Sequence, residues 1–137
     1  MKKYLNLSLG YAVAALAAGV FYREFTKWNQ FSGTTALGKL HGHLLLLGTV
    51  IFLLVALFSQ TLPLKDLRLF RTFLITYNIG LPLSAVMLLV RGVPQVLGLS
   101  LSRAVDASIS GIAGIGHILT GLGLICLLLS LRKAARE

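Results

Sequence analysis

Three histidines make up the chain's whole complement of that residue: His41, His43 and His117. Each lies inside a long apolar run. An imidazole at membrane depth is unfavourable unless it is hydrogen-bonded, serves a proton relay or binds a metal. His41 and His43 are two residues apart, about 200° around a helix, so they cannot both face one pocket. Gly42 between them removes a side chain where a flat ligand or another backbone can approach. His117 is surrounded by Gly111, Gly114, Gly116, Gly121 and Gly123, with Ala113 and Gly121 four residues to either side. Small residues at that spacing clear a groove along the helix face that carries the imidazole. Helix packing alone uses such residues without needing a histidine. A porphyrin needs both an axial nitrogen and a cleared flat face.

Zinc or copper would recruit Cys, Asp or Glu as well. The single cysteine, Cys126, lies nine residues beyond His117, more than two helical turns deeper, and reads as a packing residue. A histidine-only set points to b-type haem. His41, His43 and His117 are the candidate axial ligands, with Gly42 and Gly114 as residues that let the macrocycle close in. Propionates need basic partners, and Lys39, Arg23 and Arg103 are the candidates, with Lys27 and Arg91 in the same outer set. Each of these serves equally well as a headgroup anchor. The competing reading is that neighbouring polar groups hydrogen-bond the histidines in a haem-free packed core. Nothing resembles a nucleophile with its base, a phosphate loop or a nucleotide fingerprint.

The elements that hold these residues follow from composition. Over 137 residues, 56% are hydrophobic, only 12% are charged and the mean hydropathy is +0.85. Soluble domains carry about 25% charge, so this is an integral membrane protein in one domain. Four runs reach the ~20 residues that cross a bilayer as helix: 4–22, 36–59, 69–90 and 108–131. They are continuous rather than alternating, which excludes barrel strands. The first run follows Lys2 and Lys3 but continues apolar through Gly19, Val20, Phe21 and Tyr22, so it is expected to stay as a span rather than be cleaved. The expected fold is all-α, four transmembrane helices in an up-down bundle. Pro82, in the third span, frees the carbonyl of Asn78 and predicts a kink. The segment 91–107, with Val93, Val96, Leu97, Leu99 and Leu101, is expected to lie flat on the membrane surface.

Thirteen Lys and Arg against four Asp and Glu give a net charge of +9, but these residues cluster at the ends of apolar runs. That placement suits lipid headgroups and argues against nucleic acid. With four spans, the side holding both termini carries eight basic residues: Lys2, Lys3, Lys65, Arg68, Arg71, Arg132, Lys133 and Arg136. The other side carries five: Arg23, Lys27, Lys39, Arg91 and Arg103. The excess predicts a cell-membrane protein with cytoplasmic termini. Spans two and four run parallel, which puts the three histidines at similar depth in the outer third.

Leu40, His41, Gly42, His43 and Leu44 opening a leucine-rich second span, with Gly116 and His117 in a glycine-rich fourth, resemble a family of small four-helix bacterial membrane proteins of unknown function. The likeness covers the whole chain. More distantly, the chain resembles one four-helix arc of the haem-copper oxidase catalytic subunit, in which a His-x-His pair on a second helix ligates two haems. That resemblance implies a homotrimer that rebuilds twelve helices, with haem at the subunit contacts. The chain lacks the family's copper histidines and their tyrosine, and His117 has no counterpart in that ligand pattern. Oxygen or nitric oxide chemistry is therefore a second alternative only.

Two ligand schemes follow. His117 pairs with His41 or His43 inside one chain, or His41 of one chain pairs with His43 of the next. The second is preferred because it uses both faces of the His-x-His helix. One of those faces is expected to leave the subunit interior, which again predicts a trimer. The function expected is electron transfer, haem handling or haem sensing, with an unnamed redox partner.

Overall fold

The computed structural model describes residues 1–135, and these are all-α. Four helices are long and apolar enough to cross a membrane: α1 (Lys2–Trp28), α2 (Ala36–Thr61), α3 (Arg68–Val96) and α4 (Arg103–Ala134). The chain is a multi-pass membrane protein. Spatial order follows chain order. α1 packs on α2, α2 on α3, and α3 on α4, the last pair the most extensive and the middle pair the least. The helices therefore form a row, and α2 and α4 stand as two walls on α3.

Each helix exceeds the apolar run that predicted it, and the caps explain why. α1 continues past Arg23 to Trp28 and ends with Gln30 at φ 51°. Phe31 N–H donates to Thr26 O at 2.9 Å and Gln30 N–H to Lys27 O at 3.1 Å, the paired bonds of a Schellman cap. α3 ends in the same way. Gly98 takes φ +66°, and Leu99 N–H reaches Pro94 O at 3.0 Å. Only 97–102 is non-helical between α3 and α4. The flat surface segment expected over 91–107 is therefore not formed. Its first part extends α3 and its last part opens α4, where the Ser102 hydroxyl accepts from Val105 N–H at 3.3 Å. The helix runs unbroken through Pro82 and Pro94.

α2 is not uniform. It opens as a 3-10 turn (Ala36–Lys39), becomes α over Leu40–His43, widens to a π-helix over Leu44–Val50 and returns to α from Ile51. A π-turn loosens the backbone ladder. Two of its carbonyls accept bonds from other helices: Tyr77 Oη–H donates to Leu47 O at 2.9 Å and Ser8 Oγ–H to Thr49 O at 2.8 Å. Below it lies an aromatic cluster of Phe52, Phe70, Phe73 and Tyr77, all wholly buried. Lipid tails are as apolar as these rings, so close packing rather than exclusion of water holds the cluster.

The glycines of α4 divide between two faces. A Cβ on Gly116 would meet Ser84 Oγ at 2.7 Å, and one on Gly123 would meet Thr76 Oγ1 at 2.9 Å. These positions let α4 close on α3. Gly111, Gly114 and Gly121 face open space.

Candidate functional site

His43 and His117 come together. Their ring centroids are 6.0 Å apart and the rings are nearly perpendicular, at 82°. α2 brings one and α4 the other, across the gap above α3. Each ring is held by its own helix: His43 Nδ1 lies 3.0 Å from Lys39 O and His117 Nδ1 lies 2.8 Å from Ala113 O. A carbonyl accepts, so Nδ1 carries the proton and Nε2 is the nitrogen left for ligation. Metal-bound histidines are oriented in this manner by their second nitrogen. Gly114 lies one turn before His117 and Gly121 one turn after it, both with open space at the Cβ position, as has Gly42 beside His43.

His41 is elsewhere. It points at α1, where Nδ1 sits 2.7 Å from Ala15 O and packs over Gly19, whose added Cβ would lie 3.1 Å from that atom. The two faces of the His-x-His turn thus look to different helices of the same chain, His41 to α1 and the half-buried His43 to the exposed His117 on α4. His41 meets α1, while His117 on α4 remains exposed on the surface of the chain.

Above the pair opens a cleft of about 360 Å³. Its walls carry Lys39 from α2 and Ala113 and His117 from α4, and its floor carries Ser84, Met87 and Arg91 from α3. Gln95 and Thr34 stand at its mouth. Arg91 Nη2 donates to Asp106 Oδ1 at 3.0 Å and Ser110 Oγ at 2.6 Å. Of the three propionate candidates only Lys39 lines this cleft. Arg103 borders the adjoining recess with Arg91 and Asp106. Arg23 is on α1, which contributes nothing to the cleft, and it sits 3.7 Å from Glu24 with 82% of its side chain exposed. Arg91, which the sequence placed only in the wider outer basic set, is the basic residue that joins Lys39 in this cleft. The signal was faint: Arg91 and Asp106 bracket a segment that reads as loop but folds as two helix ends.

Among the described residues, no three His, Cys, Asp or Glu side chains converge as a metal-ion cluster would require. The fold and site define a multi-pass protein of four apolar helices, with two imidazoles paired beneath a basic cleft. Residues 1–134 match the family model described as protein of unknown function (DUF2871), and the chain belongs to that family. No curated protein and no solved structure matches the chain.

Proposed function

We propose that this protein binds one b-type haem between His43 and His117, for electron transfer or for haem handling or sensing in the membrane. The observation that carries the reading is the paired rings. The ring centroids are 6.0 Å apart, close enough for both imidazoles to hold one group. A closed zinc site takes four protein ligands, whereas a porphyrin supplies the four equatorial nitrogens and asks the protein only for axial ones. Two histidines without a third ligand suit the second case. When bound, the iron supplies one-electron exchange at a potential set by its axial ligands and their burial.

The chain's own part is positioning. The carbonyls of Lys39 and Ala113 fix the tautomer and aim of the two rings, and Gly42, Gly114 and Gly121 leave flat ground beside them. His43 and His117 of the same chain would hold the group, each through the Nε2 that its carbonyl bond leaves free. The eight-to-five bias of basic residues puts the termini in the cytoplasm and the cleft at the outer face of the cell membrane. Arg136, one of the eight, lies outside the described residues.

The competing reading is a haem-free structural or assembly protein. It is favoured by the same carbonyl bonds, since every imidazole already has one partner. An absorption spectrum of protein purified after haem-supplemented expression, oxidised and then dithionite-reduced, decides between them. A six-coordinate low-spin spectrum, lost in both His43→Ala and His117→Ala, is the expected result. Colourless protein that also fails to take up haem in titration overturns the haem reading.

A further inference from the structure

The row of helices leaves two free edges, because α1 packs on α2 and α4 on α3. The two edges differ in shape. On α1, Leu9, Val13, Leu16 and Val20 recur at steps of four, three and four, which sets them on one face. Each is 61–64% exposed, so together they form a ridge that points away from the chain. On α4, the side turned from α3 carries Ala107, Gly111, Gly114 and Gly121, again at helical spacing. A Cβ on any of these three glycines would meet nothing within 4 Å. That edge is therefore hollow, and the exposed His117 borders it. Glycine is a poor helix former and needs a reason inside a helix. Gly116 and Gly123 have theirs in the close approach of α3. Gly111 has none within one chain, and it stands about 120° around the helix from His117, away from the paired rings.

Copies of one chain in one membrane share orientation and depth, so each residue meets only what lies at its own height in a neighbour. The two edges match on that condition. Val20, Leu16, Val13 and Leu9 lie 8, 12, 15 and 19 residues in from the end of α1 at Trp28. Gly111, Gly114, His117 and Gly121 lie 8, 11, 14 and 18 residues in from the end of α4 at Arg103, on the same side of the membrane. No pair differs by more than one residue, about 1.5 Å of rise. We propose that the α1 ridge of one copy packs into the hollow α4 edge of the next. Small residues that let a facing helix approach are how helices associate where lipid is as apolar as leucine. A symmetric α4–α4 contact would set two hollows against each other with no ridge to fill them. The contact is thus head to tail, which closes into a ring about the membrane normal. It also covers the flank on which His117 is bare, where an imidazole facing hydrocarbon is unfavourable. The contact itself does not rest on the haem reading; only its role as an outer wall of the haem site does.

Disulfide trapping in membranes tests the contact. Val20→Cys and Gly111→Cys are combined in a Cys126→Ala background, and the membranes are oxidised with copper phenanthroline. The two helices stand at opposite ends of the row, so a bond between them joins two chains. A ladder of multimers in the double variant, absent from both single variants, is the expected result. A dimer formed by Gly111→Cys alone, or by Val20→Cys alone, would mean a symmetric contact and overturns the head-to-tail pairing. No cross-link in any variant would mean that lipid covers both edges, and overturns the proposal. A second measurement needs no cysteine. Gly111→Leu fills the hollow at a position that is open within one chain, so the fold is expected to stand. Native mass spectrometry in mild detergent should show an oligomer for the wild type and mostly monomer for Gly111→Leu. An oligomer unchanged in that variant overturns the proposal. Neither readout needs haem, so a ladder from protein that takes up no haem upholds the contact and sinks the haem reading alone.

Discussion

Gly80→Ala is a small change with a consequence that the structure allows to be worked out. Gly80 lies where α3 crosses α4. A methyl there would sit 2.6 Å from Thr120 N and 2.8 Å from Gly116 O. Both are backbone atoms of α4, so no side-chain rotation relieves the clash. Reaching an ordinary contact of 3.4 Å requires α4 to retreat by about 0.8 Å. Overpacking of this kind costs roughly 1–3 kcal/mol. The retreat also moves the segment from Gly116 to Thr120, which carries His117. Metal–ligand distances tolerate only about 0.2 Å of error, so under the haem reading the pair at 6.0 Å loses its fit. Haem affinity is expected to fall roughly 10–100-fold, the range for disturbed ligand orientation. Gly10→Ala on α1 is the control, because its added methyl meets nothing within 4 Å and lies away from the histidines. The assay is unfolding in mixed detergent for stability, paired with haem titration of the apoprotein. If Gly80→Ala matches Gly10→Ala in both measurements, the close α3–α4 crossing is wrong. If it is destabilised yet binds haem at full affinity, the crossing stands and His117 is not an iron ligand.

Other outcomes separate parts of the reading. His41→Ala should keep the reduced haem spectrum, whereas His43→Ala and His117→Ala should lose it; loss in His41→Ala alone would move the site to the α1 side. Tyr77→Phe removes the bond to Leu47 O in the π-turn and is expected to cost about 1 kcal/mol in the same unfolding assay. An unchanged transition would mean that the loosened carbonyl needs no partner. A cysteine at Gly33 should react with an impermeant thiol reagent on intact cells, and one at Leu64 should not. The reverse pattern would overturn the orientation inferred from the basic residues.

What the sequence made legible was whatever depends on composition and period. Four long apolar runs with basic ends gave four membrane-length helices, because hydrocarbon thickness fixes the length and nothing else in the run competes. The ends were less legible. Gly98 behind Pro94 is a readable stop for α3, yet the valines and leucines around it suggested a surface segment instead. The stop of α1 rests on Gln30 at positive φ, where no glycine or asparagine announces the turn. The π-segment over Leu44–Val50 has no signature in LLLLGTV at all. It depends on partners from other helices, Ser8 and Tyr77, that take up its carbonyls.

The histidines show where local arithmetic stops. A two-residue spacing fixed that His41 and His43 face opposite ways, and both the sequence and the structure agree on that turn of about 200°. What each face meets is a property of helix order. In a row running α1, α2, α3, α4, the helix carrying the pair has α1 on one flank and looks across α3 to α4 on the other. A second chain is one way to cover two opposite faces, and two neighbours in the same chain are another. Glycine placement sets which neighbours the chain itself supplies: Gly19 makes room for His41 on α1, while Gly80, Gly116 and Gly123 draw α4 onto α3 and bring His117 within reach of His43. The spacing of histidines set the question, and the glycines on the helices around them set the answer.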